Sequence, residues 1–261
     1  MSAANPNPTA AEVQRAWTDV KLANVLYHDW EATTYDEKWS ISYDQRCIDY
    51  ARDRFTAVAG GTGWPYAEAL ELGSGTGFFL LNLMQAGVAT TGHVTDLSPG
   101  MVDAAVRNGT ALGLDVDGRV ADAESIPYDD RSVDLVVGHA VLHHIPDVEL
   151  ALREVLRVLK PGGRFAVSDV VVRGEVPSEL RSSLELWVGC VAGALTEQEF
   201  HALLWEAGFE QVDIEPTRIY EFEDARAFLT GAGLDTEVLA REVGGRVMGA
   251  FIRARKPVRI A

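Results

Sequence analysis

The chain has 261 residues, 47% hydrophobic and 24% charged, ordinary proportions for a globular protein able to bury a sizeable core. Lys and Arg number 23 against 39 Asp and Glu, and the net charge of -16 argues against nucleic acid as a partner, because phosphate binding needs a basic surface. Two cysteines, Cys47 and Cys190, without CxxC or zinc spacing, fit a reduced cytoplasmic setting; residues 1–10 read as a frayed terminus rather than a signal peptide, and no run has membrane-spanning length.

Residues 11–59 read as helices, including Tyr43 to Val58 with apolar Cys47, Ile48, Ala51, Phe55 and Val58. The segment is rich in aromatics, among them Trp17, Tyr27, Trp30, Tyr35, Trp39, Tyr43 and Tyr50. Aromatics at helical spacing are usually core; the alternative is a lid that carries rings and hydroxyls over a small-molecule pocket. Gly60, Gly61, Gly63 and Pro65 mark a linker. This divides the chain into a helical cap, residues 1–62, and a main domain, residues 63–261, with a helical insertion near 174–195.

Strands then alternate with helices. The expected strands are Ala67 to Leu72, Thr91 to Leu97, Gly118 to Ala121, Val133 to His139 and Arg164 to Val172. Helices are expected over Phe78 to Ala86, over Ser98 to Asn108 with Ser98-Pro99 as cap and first turn, and over Asp147 to Leu159, closed by Lys160-Pro161-Gly162-Gly163. Such alternation implies an α/β, doubly wound parallel sheet. Farther on, Glu179 to Ala194 reads as helical, Thr196 to Ala207 as a helix with a Thr196/Glu199 capping box, and Glu210 to Tyr220 and Arg246 to Arg255 as strands flanking a helix around 225–243.

The stretch Glu71-Leu72-Gly73-Ser74-Gly75-Thr76-Gly77 lies between the first strand and helix. Its glycines permit positive φ and close approach of a ligand to the backbone. The spacing is G-x-G-x-G, with Phe78 where a dinucleotide loop has its third glycine, and no Lys-Ser/Thr pair follows. A nucleoside without phosphates suits this loop better than a dinucleotide, which disfavours an NAD-dependent oxidoreductase. Asp96 ends the next strand nineteen positions beyond Gly77, near the offset from which a carboxylate reaches a ribose.

Taken in order, ELGSGTG, TDLS, ADAESIPY, VDLVVGHAVLHH and LREVLRVLKPGG resemble the class I S-adenosylmethionine-dependent methyltransferases over roughly residues 67–170. The resemblance implies a Rossmann-like sheet of seven strands, the last antiparallel. It implies S-adenosylmethionine as cofactor, with S-adenosylhomocysteine as product. Glu71, Gly73, Ser74, Gly75 and Gly77 would surround the methionine portion, Asp96 the ribose, Leu97 and Met101 the adenine, and Asp122 with Ala123 its amino edge. His139 would stand where cofactor meets acceptor. At least two of His139, His143 and His144 are expected to pack or cap.

The implied acceptor is a small organic molecule, methylated on oxygen or carbon, or else on nitrogen or sulfur, without nucleic acid or membrane as partner. A base is needed only if the acceptor must lose a proton; His139 and His144 are the candidates, while Tyr27, Tyr35 and Tyr43 could orient the acceptor. Residues 168–195, with Trp187 and Cys190, resemble the matching segment of arsenite methyltransferases, in which Cys190 would be an arsenic ligand. As(III) is held by two or three thiolates, however. The other cysteine is Cys47, and none follows Cys190, which reads as a small buried apolar residue. The motifs also resemble quinone-ring and sterol C-methyltransferases and tailoring enzymes. A catalytically silent cofactor-binding module would keep the same loop.

Overall fold

A computed structural model describes residues 7–59, 63–174, 193–220 and 245–258. Four helices come first: α1 (Ala10–Ala16), α2 (Val20–Glu31), α3 (Tyr35–Lys38) and α4 (Gln45–Ala59). The main domain follows as β1 (Tyr66–Leu72), α5 (Phe78–Gln85), β2 (Ala89–Asp96), α6 (Pro99–Ala111), β3 (Asp115–Val120) and β4 (Val133–His139). A short 3-10 turn (Leu142–His144), α7 (Val148–Val158), β5 (Leu159–Val172), β6 (Leu195–Thr196), α8 (Glu197–Ala207), β7 (Glu210–Ile219) and β8 (Val247–Arg255) complete it.

The strand order is β3-β2-β1-β4-β5-β8-β7, with the two-residue β6 beside β5. Strands β3, β2, β1, β4 and β5 run parallel, and β8 pairs antiparallel with both β5 and β7. The seven long strands and the antiparallel last strand agree with the expected architecture. The chain winds outward through β2 and β3 and then returns to place β4 on the other side of β1. The carboxyl ends of β1 and β4 are therefore a switch point, where the connections diverge and leave a crevice.

Both sheet faces are covered. Leu152, Val155, Phe165, Phe200 and Leu204 pack on one face, and Phe55, Phe79, Leu80, Leu83, Ala105 and Phe251 on the other. Burying each large side chain contributes roughly 1.5–3 kcal/mol. Two-sided burial explains why β4 reads as an almost continuous apolar run. Its half-buried Asp134 accepts from Glu68 N–H and Lys160, both at 3.0 Å. The expected caps form: Ser98 Oγ accepts from Met101 N at 3.1 Å, and the Thr196/Glu199 box opens α8, which Gly208 ends at φ 104°; Asp147, expected as the first helical residue, instead caps α7.

Three expectations shift. Strand β3 starts at Asp115 rather than Gly118. Lys160 to Gly163 do not close α7 as a free turn but lie within β5, where Leu159 already pairs with Val133 and Gly162 takes φ +79°. The aromatic N-terminal segment does not uniformly pack, since Trp17, Trp30 and Trp39 are 59%, 62% and 57% exposed, whereas Phe55 is buried in the core. The helices expected over 179–194 and around 225–243 lie outside the described residues, apart from Gly193 and Ala194. Among the described residues no helix is long and apolar enough to cross a membrane.

Candidate active site

The loop after β1 bends back on itself through Gly73 (φ +53°), Gly75 (φ +53°) and Gly77 (φ +90°). The three glycines serve different ends. A Cβ on Gly73 would stand 2.2 Å from Val141 Cγ2, and one on Gly77 2.7 Å from Leu81 Cδ1, so these two permit close packing of the loop and of α5. A Cβ on Gly75 would meet nothing nearer than Tyr35 Cε1 at 3.7 Å, so Gly75 is the glycine that leaves room beside the backbone. The loop is held from above by the N-terminal helices. Tyr43 Oη donates to Thr76 O at 2.7 Å, and Thr76 Oγ1 donates to Asp36 at 2.5 Å.

Three carboxylates surround the loop. Glu71 is 1% exposed and accepts from Leu80 N at 3.1 Å, at the start of α5. Burial, helped by repulsion from Asp96, pushes its carboxyl up to about 8. Asp96 accepts from Gly75 N at 3.0 Å on one oxygen and from Ser98 N at 2.9 Å on the other. Burial raises its pKa, and nearby His28 opposes that shift. Each oxygen keeps a further lone pair for a ligand hydroxyl. Asp122, after β3, receives Lys21 Nζ at 2.6 Å; the same ammonium reaches Glu124 at 2.5 Å.

Gly73, Gly75, Asp96 and Asp122 help to wall a cavity of about 110 Å³ at the switch point. That is small beside the roughly 300–1,000 Å³ of most small-molecule pockets. Lys21, Asn24 and His28 of α2, and Tyr35 of α3, lean into it. The first three follow i, i+3, i+7 spacing and so share one helix face. Asn24 is 5% exposed; its Nδ2 lies 3.5 Å from His144 O, while its Oδ1 is buried without a hydrogen-bond partner among the described residues. An orphaned buried acceptor is costly unless a ligand donor meets it.

The opposite wall comes from the segment after β4. Asp169 accepts from Val141 N at 2.9 Å, Leu142 N at 2.6 Å and the His143 ring at 2.5 Å. His143 thus anchors the turn, while His139 and His144 both border the cavity. Burial holds the pKa of His139 below the usual imidazole value and that of His144 well below it. Both rings are neutral at pH 7. His139 is framed by Phe78, Phe79 and Tyr50, at ring-centroid distances of 5.5, 5.8 and 6.4 Å.

Of the residues singled out in the sequence, Gly73, Gly75, Asp96, Leu97, Asp122, Ala123, His139, His144 and Tyr35 line this one cavity. Glu71, Ser74 and Met101 are buried behind the wall, and Gly77 caps α5. Tyr27 stands off the cavity, bonded to Glu31 at 2.8 Å and Lys38 at 3.0 Å, as does Tyr43 on the loop. Trp187 and Cys190 lie outside the described residues. Lys21, Asn24 and His28 were not anticipated; their shared helical face was the available signal.

Comparison with known proteins places this geometry in context. A family model described as a methyltransferase domain matches residues 66–208. An arsenite methyltransferase of Halobacterium salinarum is 34% identical over 198 residues, 75% of this chain and 48% of that protein. A 27-O-demethylrifamycin SV methyltransferase of Amycolatopsis mediterranei is 36% identical over 162 residues, 58% of this chain and 57% of that protein. The chain spans about half the length of these curated relatives. Among solved structures, the (4+2)-cyclase SpnF has a TM-score of 0.61 at 24% identity, covering 82% of this chain and 81% of that one. A phosphoethanolamine N-methyltransferase 2 of Haemonchus contortus, solved with phosphomonomethylethanolamine and S-adenosylhomocysteine, has a TM-score of 0.62 at 18% identity, covering 80% and 52%. At these identities the structural likeness concerns the fold.

Proposed function

This chain belongs to the methyltransferase-domain family, whose members take their methyl group from S-adenosylmethionine, and from that premise we propose that it methylates an oxygen or carbon atom of a small organic molecule. The observation that carries the reading is the convergence of the open Gly75 backbone, the Asp96 carboxylate and the Asp122 carboxylate on one cavity. These residues suit a nucleoside: Asp96 has free lone pairs for ribose hydroxyls, Asp122 and the orphaned Asn24 Oδ1 can accept from an amino group, and the glycine wall admits close approach.

S-adenosylmethionine, when bound, supplies a methyl group already activated by its sulfonium. The chain's own part is to align an acceptor and exclude water. Phe78, Phe79 and Tyr50 give His139 a largely apolar frame, and a neutral His139 or His144 has a lone pair for an acceptor proton. Helices α2 and α3 narrow the cavity mouth, so in this reading these helices withdraw to admit cofactor and close over it.

A second reading, arsenite methylation, is favoured by the Halobacterium relative. Against it, Cys47 is buried at 2% exposure, its sulfur 3.3 Å from Ser42 Oγ. One assay separates the two readings. Purified protein is incubated with S-adenosylmethionine and a panel of phenols, quinones, thiols and arsenite, and S-adenosylhomocysteine is quantified. Turnover with a phenol or quinone supports the proposal, whereas turnover with arsenite alone, abolished in Cys190→Ser, replaces it. Asp96→Ala is expected to weaken S-adenosylhomocysteine binding by about 1–3 kcal/mol by calorimetry; equal affinities would refute the cofactor assignment.

A further inference from the structure

A second cavity, of about 400 Å³, opens at the opposite end of the sheet. It is bordered by Tyr66 at the start of β1, Asp134 at the start of β4, Lys160 and Arg164 in the first part of β5, and Arg255 at the end of β8. With β1 seven residues long, this end lies roughly 20 Å from the glycine loop.

The charge balance here is unusual. Arg164 and Arg255 stand directly opposite each other on antiparallel strands, so that two guanidinium groups share one face of the sheet. Like charges so placed repel. In a chain with sixteen more acidic than basic residues, carboxylates are plentiful. Yet among the described residues neither guanidinium has a carboxylate within ion-pairing distance. Arg255 donates only to the Gly162 carbonyl, at 3.1 Å, leaving its buried Nε without a partner. Glu210 faces Arg255 across β7 in register without forming an ion pair. Asp134 is engaged by Lys160 at 3.0 Å and by Glu68 N.

Tyr66, 8% exposed, borders the same cavity. Its hydroxyl is buried beside Arg164. The pocket therefore presents two guanidinium groups that have no carboxylate partner among the described residues, next to the buried Tyr66 hydroxyl. Planar guanidinium forks match the oxygens of phosphate and carboxylate, and an anion between two such forks turns their repulsion into attraction.

We propose that this cavity binds a phosphate-sized oxyanion, free or as the terminal phosphate of a small metabolite, with Arg164 and Arg255 as the charged clamp and Tyr66 Oη as a neutral donor. The site is independent of the methyl-transfer reading, since it shares no residue with the cavity at the switch point.

The test is calorimetric titration of the full chain with inorganic phosphate, and separately with glycerol 3-phosphate, at constant ionic strength, beside thermal melts. Saturable binding is expected, weakened about tenfold or more by Arg164→Gln or Arg255→Gln and less by Tyr66→Phe. Arg153→Gln, on an exposed helix face, and the affinity for S-adenosylhomocysteine serve as controls and should not change. Without anion, either Gln variant should melt no lower than the parent, because it removes a repulsion; with phosphate only the parent should gain stability. Tighter binding of glycerol 3-phosphate than of phosphate would point to a metabolite, and equal binding to the free ion. Absence of saturable heat with both probes, or equal weakening by Arg153→Gln, would overturn the proposal.

Discussion

Lys21 Nζ lies 2.6 Å from Asp122 Oδ2, joining helix α2 to the loop after β3 directly over the cavity at the switch point. The same ammonium holds Glu124, so one side chain fastens the cap to two carboxylates. The pair is about one-third exposed, and its worth is modest in water. Its position matters more than its strength, because under the proposed function α2 has to yield when a nucleoside enters. Lys21→Ala is expected to raise the dissociation rate of S-adenosylhomocysteine by about threefold to tenfold, since the closing contact is lost. Stopped-flow displacement measures this, and an unchanged rate would show that Lys21 is no latch.

Asn24 sits one turn farther along the same face. Its Oδ1 is buried and unmatched, so a ligand N–H is the partner that best explains keeping an amide there. Asn24→Leu should preserve packing while weakening S-adenosylhomocysteine binding by about 1–3 kcal/mol. If calorimetry finds equal affinity and higher thermal stability, Asn24 is only a defect of packing.

Much of the fold was legible, and for physical reasons. Strand β4 coincides with its expected range because two-sided burial demands an almost continuous apolar run, and α6 starts at Pro99, directly after the Ser98 cap, because cap and first turn are written locally. Local writing was also incomplete: α7 does stop before Lys160-Pro161-Gly162-Gly163, but β5 already begins at Leu159, which pairs with Val133 of β4, so the tetrapeptide lies within the strand. The candidate site was legible where a local pattern marks it, in the glycine loop at Gly73 and Gly75 and at Asp96 on the end of β2. It was opaque where the partner is distant in sequence. Asp169 in Ser168-Asp169-Val170 looks like a stray acid in a buried strand until His143, 26 residues earlier, closes on it.

That buried pair is a stability element. Burial alone pushes the Asp169 carboxyl up, but the His143 ring and the N–H groups of Leu142 and Val170 outweigh it and leave the group below its ordinary value. A lowered carboxyl stabilises the fold above its unfolded pKa of about 3.9, and the contribution fades as pH falls through the lower folded value. Asp169→Asn should cost about 3–5 kcal/mol at pH 7 in urea unfolding, because it breaks a paired buried charge. A loss below about 1 kcal/mol would mean that the turn is held by other contacts.

Glu71 has the opposite sign. Its carboxyl is raised from 4.5 to about 8, so the native state holds a proton that the unfolded state releases. Between those values stability falls as pH rises. Glu71→Gln mimics the protonated form and removes the titration. The stability difference, Gln variant minus parent, should therefore grow from pH 5 to pH 8 in paired urea melts. A difference independent of pH would show that Glu71 is ionised in the fold throughout.

His139 offers the sharpest check on chemistry. Its pKa is held down mainly by burial, with Asp169 opposing, so the ring is already neutral at pH 7 and raising the pH gains no further base. If His139 takes the acceptor's proton, kcat/KM should be flat from pH 7 upward on its account and should fall only below the ordinary imidazole range, near 6.5. His139→Ala should then lower kcat by about a hundredfold or more while changing S-adenosylhomocysteine affinity little, and it should erase the acid limb. The reverse pattern, weakened cofactor binding with kcat and its acid limb intact, would recast His139 as part of the cofactor wall. The acceptor would then be one that needs no base, such as a thiolate or an activated carbon.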